Sequence, residues 1–255
     1  MIRWLSMLLL AGSACAEPAQ RILSLCTTAT DVLCALDATK QLAGIDEYGR
    51  VVPGATNVPV IARGSALSRE EVIVRRFDLA FLWWYQDDAA KLLADLNVPV
   101  VRIRAGRAAE LPATVRLIGE KTGHAAAANK LADDLAAFLQ AQTNRPAHPP
   151  RVYLELYGAY KTVGGDSYLN DLITLAGGTN VAAAVPRSSV VFSPEQLIAA
   201  KPDVILFVNG FTKPSLANAR IAAIDRQWLV AGSRLPAAVQ QLRALIHGTP
   251  AHAIP

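Results

Sequence analysis

The chain has 255 residues, with 25 Lys and Arg against 21 Asp and Glu and a formal net charge of +4 at pH 7. With no Lys/Arg block and no basic stripe, that balance offers nucleic acid no footprint, and the length suits two modest lobes or one large domain. The four His (His124, His148, His247 and His252) are scattered, with no pair at metal-ligand spacing, so no protein-coordinated free metal ion is expected.

The opening MIRWLSMLLLAGSACA places Arg3 before an apolar stretch from Leu5 to Ala11, with small residues at Ala14 and Ala16. This reads as a secretory leader over 1–16 with Glu17 starting the mature chain, and its apolar part is too short to span a bilayer. A second reading makes Cys15 a lipidated N-terminus, but the residues before it lack the usual Leu three places upstream. Cys26 and Cys34 survive cleavage. A disulfide is permitted outside the cytoplasm, yet Cys34 falls inside the first helix, away from Cys26, so two buried free thiols are expected.

RILSL (21–25) reads as a strand and TTATDVLCALDA (27–38) as a helix capped by Thr27 or Thr28. LAGI (42–45) is a short strand before a loop holding Tyr48, Arg50 and Pro53. Ser68-x-x-Glu71 is a capping box opening a helix with Glu70 in its first turn. DLAFLWW (78–84) is a strand buried on both faces, followed by a helix around 87–96 and the strand VPVVRI (98–103). From His124 the sequence reads as one helix of about 20 residues, about 30 Å long, ended by RPAHPP (145–150). RVYLELY (151–157) is a strand. GGDSYLNDLITLAGG (164–178) is a helix capped by Asp166 or Ser167 and stopped at Gly177-Gly178. Ser193 caps another helix, with Pro194 at its first position and Gln196 completing the box. DVILFV (203–208), RIAAI (220–224) and the helix LPAAVQQLRALIHG close the chain. The class is α/β: two lobes with mainly parallel sheets flanked by helices, linked by a single long helix. The lobes fall at 17–112 and 150–255, with a connecting region at 113–149.

Two stretches, SREEVIVRRFDLAFL (68–82) and SPEQLIAAKPDVILF (193–207), share one order: Ser, Glu two places on, an apolar run, a basic residue, then Asp before a second apolar run. The same helix–strand unit therefore occurs once in each half.

These stretches, with RILSLCTTATDVLCALDA and TVGGDSYLNDLITLAGGTN, resemble the substrate-binding proteins of ABC importers for iron chelates, haem and vitamin B12. The resemblance implies a monomeric periplasmic receptor without a resident cofactor. It would hold a metal chelate, corrinoid or ferric siderophore, between its lobes, with haem as the alternative ligand, and deliver it to an inner-membrane permease dimer. It further implies that Glu70 and Glu195 dock on Arg residues of the two permease copies, since a two-fold permease asks one anion of each half. A helical link implies slight lobe closure.

Ligand sites in such sheets lie at strand ends, where the first lobe offers Thr27, Tyr48, Arg50, Arg63, Trp83, Trp84 and Tyr85, and the second Tyr157, Tyr160, Lys161, Arg187 and Trp228. Trp83 matches an aromatic that a vitamin B12-binding member places against the corrin, and large flat rings suit aromatic walls. One of Trp83 and Trp84 is expected to point into the core, as adjacent strand residues do. Other corrin-facing aromatics are replaced around Arg63 and Arg187, and Arg63 stands where some haem-binding relatives have a Tyr. Arg63, Arg187 and Lys161 together suit carboxylates. The enzyme alternative makes Cys26 a nucleophile, but G-x-S-x-G, G-x-x-x-x-G-K and G-x-G-x-x-G are all absent, and no catalysis is expected.

Overall fold

The computed structural model describes residues 18–248 apart from 105, 143–145, 212–214 and 217. The leader, Cys15, Glu17 and His252 lie outside the described residues.

The first sheet forms around β1 (Ile22–Leu25), which leads into α1 (Thr27–Ala35). It adds β2 (Leu42–Asp46), β3 (Val60–Arg63), β4 (Ala66–Leu67), β5 (Leu79–Trp83) and β6 (Val100–Ile103) in the order β4-β3-β2-β1-β5-β6. Every pairing is parallel except β3–β4. Helices α2 (Arg69–Arg75) and α3 (Asp87–Asp95) flank it. Strands β3 and β4 fall where the sequence suggested only loop; V-P-V-I interrupts its apolar run with Pro59, which hides the strand.

The second sheet has the order β12-β11-β7-β9, all parallel, built from β7 (Arg151–Glu155), β9 (Thr179–Asn180), β11 (Val204–Val208) and β12 (Arg220–Ile224). Beside it β8 (Lys161–Thr162) and β10 (Val190–Val191) form an antiparallel ribbon. Its helices are α6 (Tyr168–Leu175), α7 (Pro194–Ala200) and α8 (Leu235–His247).

The helical region between the sheets divides at Gly123. Helix α4 (Leu111–Thr122) ends there in a left-handed cap at φ 80°, and α5 (Ala125–Ala141, 17 residues) carries the chain onward. The two pack side by side: a Cβ on Gly119 would lie 2.1 Å from that of Ala128, and Arg116 pairs with Asp133 at 2.5 Å. At the start of α5, His124 meets Gln41 of the first half (3.2 Å). Past its end, Gln142 accepts from Arg243 of α8 (3.1 Å). The link is therefore 17 residues, about 25 Å, and is braced along its length by α4.

The repeated clause is repeated in atoms as well. Ser68 and Ser193 cap α2 and α7 by accepting from the amide three residues on, at 3.1 and 3.2 Å. Only Ser193 has the reciprocal half of its box; the Glu71 carboxylate turns instead to Arg75 at 2.6 Å. Both helices end on a basic residue in the left-handed region, Arg76 (φ 50°) and Lys201 (φ 44°). Then Asp78 accepts from the backbone N–H of Arg21 (3.0 Å) and Asp203 from that of Arg151 (2.7 Å), while the two guanidiniums donate to the carbonyls of Arg75 and Ala200. A duplicated unit explains this correspondence; separate origins for each contact do not.

Alternate strand residues face opposite ways. Leu23, Leu25, Ala80 and Leu82 pack under α2 and α3, and Tyr153 and Ile205 pack under α7. The other faces feed a single interior in which Ile22 and Phe81 of the first sheet, Ile118 and Leu135 of the helical link, and Leu154, Leu172 and Leu242 of the second half belong to one continuous cluster.

Candidate ligand cleft

In both sheets the chain leaves the central strand first to one side and then to the other: β1 lies between β2 and β5, β7 between β9 and β11. Such a reversal leaves a crevice at the strands' C-terminal ends. The two crevices face each other. Two adjoining chambers, of about 390 and 570 Å³, are lined from the first half by Thr27, Trp83 and Tyr85 and from the second by Leu156, Tyr157, Leu169 and Leu229.

Local chemistry sets the walls. Gln86, almost fully buried, accepts the Trp83 N–H (2.9 Å), while Arg102 donates to the Trp84 carbonyl (2.9 Å). This tight turn pushes Trp84 and Tyr85 outward, where their rings meet edge to face at 5.7 Å and are 51% and 59% exposed. Tyr48 is presented by a 3₁₀ turn, Glu47–Val51, capped by Asp46 accepting from Gly49 (2.9 Å). Burial, with the negative Glu47 adding to it, lifts the Asp46 carboxyl to about 6. In the second half the Gly164-Gly165 pair lets the 181–190 loop close in: a Cβ on Gly164 would lie 2.3 Å from the Arg187 carbonyl, and one on Gly165 2.3 Å from that of Ala183. That contact seats Arg187, Ser188 and Ser189 on the larger chamber.

Two polar clamps lock the walls from behind. Asp31, one turn into α1 from Thr27 and 3% exposed, accepts from the Ser233 N–H and Oγ–H, both at 2.6 Å, and from Arg234 Nε at 3.2 Å. Gly232 makes the approach possible, since a Cβ there would sit 2.2 Å from Asp31 Oδ2. Asp171 of α6 receives both Arg107 nitrogens (2.7 and 2.9 Å) and the Ala108 N–H (2.8 Å).

Of the residues expected at the site, Thr27, Tyr48, Trp83, Tyr85 and Tyr157 line the smaller chamber, and Trp84 and Arg187 line the larger. Trp83 both packs on the core and faces the cleft, so neither tryptophan is lost to the interior. The other five lie outside both chambers. Arg50 is exposed on the 3₁₀ turn past Tyr48, and Arg63 is exposed at the end of β3. Tyr160 sits at φ 63° with its N–H donated to Glu155 (3.0 Å), and Lys161 is exposed in the β8–β10 ribbon. Trp228 packs on the core under the Arg234 guanidinium at 5.4 Å.

The cationic set at the cleft is thus Arg187 with Arg104 and Arg226, not Arg187 with Arg63 and Lys161. Arg104 follows directly on β6 and Arg226 nearly so on β12, so the strand-end rule, applied to every parallel strand, finds both. Arg104 lies over the Trp84 ring (5.2 Å) and Arg226 over that of Phe211 (5.6 Å). Among the described residues none of the three has a carboxylate within ion-pair distance. Burial raises the Tyr85 and Tyr157 phenols, the latter opposed by Arg226, so both stay neutral. Cys26, fully buried, has its thiol pushed up to about 12 by burial and remains unbonded, as does Cys34. A neutral buried thiol is not the thiolate that nucleophilic chemistry requires. Among the described residues no three of His, Cys, Asp or Glu converge on a metal position, and no helix is long and apolar enough to cross a membrane.

Two facing α/β lobes, a helical link and a cleft lined by strand ends define a two-lobed binding protein. The model of the Periplasmic binding protein family matches residues 22–225, and the chain belongs to that family. The chain is 25% identical to a Vitamin B12-binding protein of Pectobacterium carotovorum subsp. carotovorum, over 94% of this chain and 92% of that one. Among solved structures it is similar to the periplasmic heme-binding protein RhuT from Roseiflexus sp. RS-1 (TM-score 0.79, 23% identity, 91% of this chain and 99% of that). It is also similar to the periplasmic Vitamin B12 binding protein BtuF of Vibrio cholerae (TM-score 0.74, 20% identity, 91% and 98%). The two structural likenesses establish the shared fold.

Proposed function

We propose that the chain is the periplasmic receptor of an ABC importer, capturing a metal chelate between its lobes and handing it to an inner-membrane permease. The observation that carries this reading is the cleft wall. Tyr48, Trp83, Trp84, Tyr85 and Tyr157 surround it, and three guanidiniums with no carboxylate partner among the described residues border it. Flat apolar rings gain most from such aromatic surfaces, and an unpaired Arg is free to take an anionic substituent bidentately. The names of the relatives agree with the class, being vitamin B12-binding and heme-binding proteins. The ligand is a corrinoid or a ferric siderophore. Haem is the second reading, favoured by Arg104 and Arg187 facing the larger chamber from opposite halves, as two propionates would need.

In this reading the leader at 1–16 exports the chain, the lobes run over 17–112 and 150–255, and the mature protein acts as a monomer. Glu70 and Glu195, both exposed, are the docking anions. Each is held below the usual carboxylate range, Glu70 chiefly by its own backbone N–H and Glu195 chiefly by the Ser193 hydroxyl, so both stay charged across the physiological range. The two clamps and the shared interior keep lobe closure slight. The test is quenching of Trp fluorescence by haemin, cyanocobalamin and a ferric siderophore, since Trp83 and Trp84 line the cleft. Saturable quenching by one of them is expected; none by any of the three refutes the reading.

A further inference from the structure

Helices α2 (REEVIVR) and α7 (PEQLIAA) are structural counterparts, yet their sequences agree at only two of seven positions, Glu70 with Glu195 and Ile73 with Ile198. What the fold needs from these helices is the buried position between, Val72 and Leu197, at 2% and 4% exposure, and there the residue has changed. The two identities are both on the outside: Ile73 is 56% exposed and Ile198 60%. A duplicated unit relaxes first where nothing inside the molecule constrains it. An identical exposed Ile in both copies therefore points to a constraint from outside.

Spacing gives that constraint a shape. Residues three apart on a helix share a face, so each Ile lies beside its Glu, and each lobe shows the same two-part patch of one apolar side chain next to one anion. Val74, 78% exposed, has Ala199 as its counterpart and is no part of the matched patch. Single exposed apolar residues are ordinary; a pair kept at equivalent positions beside a matched charge is not. Charge complementarity asks the partner for a cation, and the repetition asks for it twice, each time next to an apolar socket.

We infer that Ile73 and Ile198 are apolar anchors of the docking surface, inserted into two equivalent sockets of a two-fold membrane permease beside the cations that receive Glu70 and Glu195. This rests on the permease reading proposed above. The division of labour follows from the chemistry: exposed carboxylates steer the encounter and are screened by salt, whereas burying an Ile slows departure and is not screened.

The test is photo-cross-linking in the cells that make the protein, with benzoylphenylalanine installed singly at positions 73 and 198, at 69 and 194 beside the two Glu, and at exposed position 91 on α3 as control. Positions 73 and 198 are expected to label one and the same membrane-spanning permease, identified by mass spectrometry, and position 91 not to. Labelling from 69 and 194 with none from 73 or 198, or from only one of them, overturns the anchors and leaves the permease reading standing; no labelling from any of the four overturns both. With the captured permease purified, Ile73→Ser and Ile198→Ser are each expected to weaken association about tenfold, equally at 0.1 and 0.5 M NaCl. The loss in Glu70→Gln should shrink as salt rises. An Ile effect that vanishes with salt, or no effect, also overturns the anchors.

Discussion

Replacing Asp31 by Ala would remove one of the two carboxylates on which three donors converge across the two halves. Ser233 loses acceptors for its N–H and its hydroxyl, both now at 2.6 Å. Arg234 loses less, because Gln227 also takes its Nη1 through the side chain and its Nη2 through the carbonyl, each at 3.0 Å, and 26% of its side chain is exposed. Breaking a buried ion pair by removing one partner costs about 3–5 kcal/mol; with Arg234 partly reaccommodated, the cost is about 2–4 kcal/mol. Urea denaturation followed by far-UV circular dichroism should then show a lower midpoint at unchanged slope, with a thermal midpoint lower by about 5–15 °C. Asp31→Asn should lose about half as much, because its amide keeps one carbonyl oxygen for Ser233. A double-mutant cycle with Arg234→Ala isolates the ionic part. A loss below about 0.5 kcal/mol for Asp31→Ala would refute the clamp, showing that water replaces the carboxylate at no cost.

Asp46 gives a pH test. Its carboxyl is raised by burial to about 6, so the folded chain holds the proton more tightly than the unfolded one. The stabilisation is complete below the unfolded value near 4 and is lost as pH rises through 6, amounting to at most about 3 kcal/mol. Asp46→Asn should therefore gain on the parent by about that much in urea melts between pH 4 and pH 8, and parallel curves would contradict it. Gly164→Ala, whose Cβ would meet the Arg187 carbonyl at 2.3 Å, should displace the 181–190 loop and lower chelate affinity at least tenfold by fluorescence titration. Glu70→Ala with Glu195→Ala should leave that affinity unchanged and impair uptake; lost affinity with normal docking would refute their assignment. Cys26, fully buried with its thiol raised to about 12, should react with a thiol reagent only on unfolding, and fast labelling of the native protein would contradict its burial.

The repeat was legible in the sequence because its chemistry is local. A Ser hydroxyl reaching the amide three residues on is written in a short spacing, and both copies are found; the closures of Asp78 and Asp203 onto Arg21 and Arg151, 57 and 52 residues away, show only in the fold. Strand-end aromatics were legible for the same reason, since Trp83, Trp84 and Tyr85 follow directly from where β5 stops. What stayed hidden depends on distant neighbours. The helix read from His124 is found from Ala125, but that α4 folds back against it shows only when Gly119 is seen to pass Ala128 at contact distance, across the left-handed turn at Gly123. The two-residue strands β8 and β10 pair beside the loop that Gly164 and Gly165 admit at close range. Arg63 and Lys161 look like Arg104 and Arg226 in one dimension, and Arg63 even ends a strand that runs parallel to β6; what sets them apart is that Arg63 turns directly into the β3–β4 hairpin and Lys161 opens the β8–β10 ribbon.

The interior that runs beneath both sheets has a consequence for how such a protein changes over time. Neither half owns the residues that keep it dry: Phe81 and Leu154 belong to one cluster, joined through Ile118 and Leu135. A chimaera taking one half from this chain and the other from a paralogue would bring together two non-matching surfaces at that seam. Selectivity for new cargo is therefore easier to reach by exchanging residues along the rim than by trading whole lobes.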